Sequence, residues 1–277
     1  MVYETLRKIT VLRKLHFAYA SECRKRVWMG EAKKIKSEIK PILQEKFEMP
    51  QKTMIILPHS DDEWVGCSQI ISNWKNVILC DVDMSGGDSE EMHLKRKIEL
   101  KNTSRLFGAN LIETSIDNLS NIIVAEMPDA ICVPFYMDWH DEHLRVLEEI
   151  STNLSKFPPK IKVFSYQVSV PMANKFINYC IPMEKKEHKK KWNYFKLNYK
   201  TQVIIPFMRF ACNEIVNGGC IGAYSAEVFR ISTSLEKWND EYKKYRLSED
   251  ERKAVIKSLH SITETRKLLL KYIDEKD

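Results

Sequence analysis

From residue 54 onward, apolar runs of strand length alternate with longer stretches of helical periodicity. Met54 to Leu57, Val77 to Val82, Leu111 to Thr114, Ile131 to Pro134 and Lys162 to Val168 read as strands, each short and rich in apolar or β-branched residues. Between them, Asp62 to Trp74 and Glu90 to Phe107 read as helices. This alternation predicts an α/β, Rossmann-like, doubly wound, mainly parallel sheet with helices on both faces, joined by right-handed crossovers.

The two ends differ from the middle. Residues 1–47 are rich in Lys, Arg, Glu, Leu and Ala and predict a helical N-terminal arm. Residues 48–247 then form the main domain. Residues 248–277 open on Ser248-Glu249-Asp250-Glu251, a capping-box pattern, and continue with apolar positions at Val255, Ile256, Leu259, Ile262 and Leu268. They predict a C-terminal helical segment packed on the same domain.

With 277 residues, 44% of them hydrophobic, the chain can build one large core. No apolar run approaches the roughly 20 residues that span a bilayer, and the first residues lack an apolar stretch with a small-residue cleavage site. A cytoplasmic protein is expected. Seven cysteines, an odd number without a Cys-x-x-Cys pair, fit reduced thiols. The net charge of +6 is mild for this length and does not call for nucleic acid. Arg7, Lys8, Arg13, Lys14, Arg24, Lys25 and Arg26 give the arm a basic face that allows peripheral contact with an anionic membrane, although such faces are more often simply solvated.

Two polar clusters interrupt this pattern. The first strand runs into His59-Ser60-Asp61-Asp62-Glu63, and the Ile131 run leads to Asp138-Trp139-His140-Asp141-Glu142-His143. Ligands of open α/β sheets bind outside the carboxyl ends of the strands, so two strand-terminal clusters can converge on one site. Two imidazoles and a carboxylate are a set that hydrolytic zinc enzymes use while keeping a position open for water. His59, Asp62 and His143 are the expected ligands. Asp61 is the expected general base, and His140 the group that stabilises the oxyanion or protonates the leaving nitrogen, with Asp138 or Glu142 orienting its ring.

These residues resemble the signatures of the PIG-L/LmbE-like family of zinc-dependent N-deacetylases. His59-Ser60-Asp61-Asp62-Glu63 is similar to the family's His-Pro-Asp-Asp-Glu motif, and His140-Asp141-Glu142-His143 to its His-Pro-Asp-His motif. Weaker echoes are Gly66, Arg96-x-x-Glu99 with Phe107-Gly108, and Gly222 followed by Ala226-Glu227-x-Phe229, so the resemblance covers roughly residues 52–230. It implies a Rossmann-like fold and removal of an acetyl group from an N-acetylated amino sugar in glycan, glycolipid or small-thiol biosynthesis. The sugar is expected to be an N-acetylhexosamine conjugate, with a nucleotide or a lipid among the groups it could carry. It also implies Zn2+ as cofactor, with another divalent ion such as Fe2+ as alternative, and a substrate-binding role for Arg96.

The chain departs from the family pattern where Ser60 and Asp141 stand in place of proline and Glu142 in place of aspartate. Trp139, Lys185, Lys186, Trp192 and Tyr194 offer aromatic and basic groups for a sugar and an anionic substituent. Two rival functions use the same residues: a non-haem iron enzyme on the two-His-one-carboxylate set, and a non-catalytic sugar-binding protein. The acid beside the ligand favours hydrolysis.

Overall fold

The structure is a computed structural model that describes residues 21–82, 84, 89–202 and 207–277. Its centre is a seven-stranded sheet of β1 (Thr53–Leu57), β2 (Val77–Asp81), β3 (Asn110–Glu113), β4 (Ala130–Pro134), β5 (Lys162–Tyr166), β6 (Tyr179–Met183) and β7 (Ser225–Ser232), in the order β3-β2-β1-β4-β5-β7-β6. The first five strands pair in parallel. β7 runs antiparallel to both β5 and β6.

Alternate residues of one strand enter different cores, as a sheet covered on both faces requires. Met54 and Ile56 of β1 face one core, together with Leu119 and Ile123 of α4 (Leu119–Glu126) and Val146, Leu147 and Ile150 of α5 (Asp141–Thr152). Ile55 and Leu57 face the other, with Val65 and Ile70 of α2 (Asp62–Asn73), Leu100 of α3 (Glu90–Phe107), Phe195 of α6 (Lys185–Asn198) and Phe210 of α7 (Phe207–Asn217). The expected doubly wound fold is therefore present. The antiparallel β6 and β7 and helices α4, α5, α7 and α8 (Leu235–Tyr245) lie beyond the elements read from the sequence.

Among the described residues the arm is helical over 21–38 (α1), and this helix ends before residue 47, the expected end of the arm. Pro41 disfavours helical geometry at Lys40 and supplies no N–H, and the chain beyond it bonds to the domain instead. Ile42 donates to the Cys220 carbonyl at 2.8 Å and Glu45 to the Asn178 carbonyl at 2.8 Å. Trp28 and Ala32 of α1 are buried with Cys212, Val216 and Ile262, and Trp28 Nε1 donates to the His260 carbonyl at 2.9 Å. The basic residues Arg7, Lys8, Arg13 and Lys14 lie outside the described residues, while Arg24 and Arg26 are exposed. Among the described residues no helix is long and apolar enough to cross a membrane.

The C-terminal segment forms two helices, α9 (Glu249–Ser258) and α10 (Ile262–Lys276). Ser248 and Glu251 make the expected capping box, and Ser261 caps α10. Leu269 and Ile273 bury the segment in the first core.

Candidate active site

The sheet reverses its winding between β1 and β4, and both polar clusters follow the carboxyl ends of those two strands. Neighbouring strands whose crossovers depart in opposite directions leave a crevice at their ends. On one side a tight turn leads from β1 into α2, with Asp61 N donating to the His59 carbonyl at 3.0 Å. Asp61 takes φ 157° and ψ −22°, a conformation rare outside glycine and of the kind found at functional turns. On the other side His140 caps α5, its Nδ1 accepting from Glu142 N at 3.4 Å.

Three donor atoms meet between these turns. His59 Nδ1 lies 3.2 Å from His143 Nε2, and Asp62 Oδ2 lies 3.3 Å from each of them. Ligands ~2.0–2.1 Å from a tetrahedral zinc ion stand about 3.3 Å from one another, so this triangle fits one face of such a site. The outer ring nitrogens are held by carboxylates: His143 Nδ1 is 2.9 Å from Asp138 Oδ2, and His59 Nε2 contacts Glu142 Oε2. Each contact places one proton on the outer nitrogen and turns the inner nitrogen toward the centre. His140 adds a third imidazole, since His59, His140 and His143 each offer a nitrogen within 4.8 Å of the others.

The carboxylates of Asp138 and Glu142 meet the histidines of the triangle, and Glu142 meets the His140 ring through its backbone N–H at 3.4 Å. Each backs a different candidate ligand histidine, and Asp138 Oδ1 also accepts from the His140 backbone N–H at 3.0 Å.

The electrostatics follow from burying several carboxylates together. Asp61, Asp62, Glu63 and Asp138 are all buried. Burial and the neighbouring Asp62 charge lift Asp61 to about 8, so without a cation beside it the carboxyl is mostly protonated at neutral pH, and a nearby positive charge would lower it. Burial opposes ionisation of Asp62 as well, but His143 and His59 hold it well below the usual range. Burial would lower both histidines, yet Asp62 and Glu142 carry His59 up to about 9, and Asp62 and Asp138 carry His143 up to about 10. His140 moves down, through burial and the charges of His143 and His59. With Nδ1 accepting from a backbone N–H, its neutral ring carries a proton on Nε2.

Arg96 on α3 is close enough for its charge to lower Asp61, and it donates to Gln202 Oε1 at 3.5 Å. Of the other aromatic and basic candidates, Trp139 lines a cavity beside the site, whereas Trp192 is a core residue donating to Glu214 Oε2 at 2.7 Å. Lys185 and Lys186 are exposed on α6.

Further residues enter only through the fold. Glu63 is fully buried, and its carboxyl, raised by burial, contacts Tyr199 Oη, which is 2.6 Å from Thr103 Oγ1. Two cavities meet at Glu142. One, of about 440 Å3, includes Glu113, Ser115 and Arg145, and the other, of about 560 Å3, lies between Trp139-His140 and α9. Nothing local in the sequence marks α9 as part of this neighbourhood.

No protein-family model matches the sequence, and no curated protein matches it. Solved structures do. N,N'-diacetylchitobiose deacetylase from Pyrococcus horikoshii, complexed with its inhibitor, matches with a TM-score of 0.54 at 19% identity over 69% of this chain and 87% of its own. A conserved protein from Thermus thermophilus matches with a TM-score of 0.54 at 17% identity over 65% of this chain and 94% of its own. At such identities the likeness concerns the fold, while function rests on the site. The chain has the α/β fold of N,N'-diacetylchitobiose deacetylase, and its two histidine-carboxylate motifs resemble those of the LmbE/PIG-L-type deacetylases.

Proposed function

We propose that this protein is a metal-dependent N-deacetylase, hydrolysing the acetamide of an N-acetylated amino sugar. The observation that carries the reading is the triangle of His59 Nδ1, Asp62 Oδ2 and His143 Nε2, with Asp61 adjacent in sequence and His140 packed on both rings. His59, Asp62 and His143 would hold the ion, which we take to be zinc, with ferrous iron as the alternative. When bound, the ion supplies Lewis acidity toward the amide carbonyl and an acidified water.

Asp61 takes the proton of the water whose oxygen bonds to the acetyl carbon. His140 Nε2–H faces the negative charge that develops on the carbonyl oxygen. The C–N bond then breaks as the nitrogen receives the proton that Asp61 collected, and acetate and the free amine depart. Asp138 and Glu142 keep the rings of His143 and His59 in register. Arg96, whose charge acts on Asp61, would hold the sugar or its substituent.

The seven free thiols, six of them buried, fit a reducing compartment, and we place the reaction in the cytoplasm. The test is acetate release by the zinc-loaded chain from free, nucleotide-linked and lipid-linked N-acetylhexosamines. Release that Asp61→Asn abolishes is the expected result. Absence of release from every member, together with tight binding of one of them, would favour a sugar-binding protein instead.

A further inference from the structure

We propose that Tyr199 is a positioning residue of this site, its hydroxyl fixing Glu63 and so tying the Asp61-Asp62 turn to the helix that carries Arg96. The proposal rests on the metal-dependent reading of the site and adds to it a residue outside both histidine-carboxylate motifs. Tyr199 ends α6, and packing holds its ring. It is fully buried, stacked on Phe195 with ring centroids 5.3 Å apart, and its backbone N–H donates to the Phe195 carbonyl at 2.9 Å. The hydroxyl donates to Glu63 Oε1. Glu63 follows Asp62 in the first turn of α2, so a hold on its side chain bears on the backbone that presents Asp62 Oδ2. Among the described residues no other side chain bonds this carboxyl, and its second oxygen, Oε2, is buried without a partner.

The hydroxyls behind this contact all point the same way. With its one proton given to Glu63, Tyr199 Oη accepts from Thr103 Oγ1 at 2.6 Å, which is nearer to Thr103 than the Glu99 carbonyl at 3.4 Å. Thr103 Oγ1 accepts in turn from Asn198 Nδ2 at 3.1 Å and from Tyr194 Oη at 3.0 Å. Each proton of the series is directed toward Glu63, and such one-way series strengthen their members in a dry interior.

The same segment also reaches Arg96. Arg96, Glu99 and Thr103 stand at i, i+3 and i+7 of α3 and so share one face of that helix. Opposite them the chain leaving α6 sets Gln202, Thr201 and Tyr199 in matching order. Arg96 donates to Gln202 Oε1 at 3.5 Å, the Thr201 backbone N–H donates to Glu99 Oε1 at 3.0 Å and its hydroxyl to Glu99 Oε2 at 2.5 Å, and Thr103 meets Tyr199. One end of this ladder holds Arg96, whose charge acts on Asp61, and the other holds Glu63. Both walls of the crevice formed by α2 and α3 are therefore set by one turn.

The test measures zinc affinity of the full-length protein, by competition with a chromogenic chelator, and urea unfolding of the same variants. Tyr199→Phe keeps the ring and removes only the hydroxyl. It should weaken zinc binding about five- to ten-fold, near the low end of what outer partners of a metal site contribute, and lower the urea midpoint by stranding Glu63. Asn198→Ala takes a donor from Thr103 but leaves the Tyr199–Glu63 contact, so its zinc affinity should stay within about two-fold of the parent. The double variant Tyr199→Phe/Glu63→Met replaces both partners by apolar groups of similar shape, and its urea midpoint should recover while zinc affinity stays low. A contact that served stability alone would not separate the two readouts. Unchanged zinc affinity in Tyr199→Phe, an equal loss in Asn198→Ala, or recovery of affinity together with stability in the double variant would overturn the proposal. Acetate release by the parent protein, measured in parallel, distinguishes this proposal from the deacetylase reading. Release with unaltered zinc affinity in Tyr199→Phe defeats the positioning role alone, and the expected variant pattern without release from any N-acetylhexosamine defeats the deacetylase reading alone.

Discussion

His59 Nδ1 and His143 Nε2 stand 3.2 Å apart although 84 residues separate them in the sequence, with Asp62 Oδ2 3.3 Å from each. Protons and a metal ion compete for these nitrogens. In the metal-free site both histidines are raised, so they hold protons at neutral pH and an ion must displace them. Zinc affinity should therefore fall as pH is lowered from about 8 to about 6. Calorimetry in buffers of different ionisation enthalpy should show protons released on binding. Binding with no proton release across that range contradicts the ligand set, as would normal metal retention in His59→Ala.

Asp61→Asn removes the base but none of the three converging donor atoms. Turnover should fall on the order of a hundred-fold or more while metal content stays near that of the parent. Metal analysis of the purified variant beside its acetate-release rate checks this, and equal loss of both would make Asp61 a ligand.

Asp138 and Glu142 each grip the outer nitrogen of one histidine. Asp138→Ala and Glu142→Ala should each weaken metal affinity by about 10–100-fold, the usual cost of losing such a partner. Competition with a chromogenic chelator measures it. Unchanged affinity in Glu142→Ala would show that the longer arm at this position has no hold on the His59 ring that matters for the metal.

Gly66 packs α2 on the sheet. A Cβ at this position would stand 2.3 Å from Cδ2 of Tyr166, a buried ring whose hydroxyl donates to the Ile56 carbonyl at 2.8 Å and which has little room to retreat. Gly66→Ala should cost about 1–3 kcal/mol of stability by overpacking. Because α2 carries Asp62, metal affinity should drop as well. Denaturant unfolding and metal titration report the two effects separately.

Lys191 lies buried in the wall behind α2, its Nζ 2.6 Å from Glu227 Oε1, 2.8 Å from the Val65 carbonyl and in contact with Glu214. Burial works against its charge, but Glu214 and Glu227 raise it, and Glu214 is itself held low by Lys191 and His188. A raised lysine contributes stability that is present below its unfolded value and lost as pH rises through its folded value. A lowered carboxylate contributes stability present above its unfolded value and lost as pH falls through its folded value. Glu227, raised by burial, partly offsets Glu214 on the acid side. The contribution of this cluster to stability should therefore form a plateau between about pH 5 and pH 10. Lys191→Met should lower that plateau by about 3–5 kcal/mol by stranding two buried carboxyls. Urea unfolding at several pH values decides it, and a loss below about 1 kcal/mol would show that the carboxyls find other partners.

The sequence by itself carried the parallel half of the fold and the chemistry of the centre. Parallel strands buried on both faces must be nearly continuous apolar runs, which makes Met54–Leu57 and Ile131–Pro134 visible, and the abrupt change to His59-Ser60-Asp61-Asp62 and His140-Asp141-Glu142-His143 marks where those strands end. β7 escaped that reading because Glu227 and Arg230 interrupt its apolar pattern, and their partners Lys191 and Glu241 stand on other elements, 36 and 11 residues away. Only the tertiary structure decided which nitrogen of each histidine faces the centre, since that depends on where Asp138 and Glu142 come to rest. Only it could bring α9 against Trp139, because a cavity wall is a relation between surfaces distant in sequence, and Arg252 and Ile256 carry no local sign of what they face.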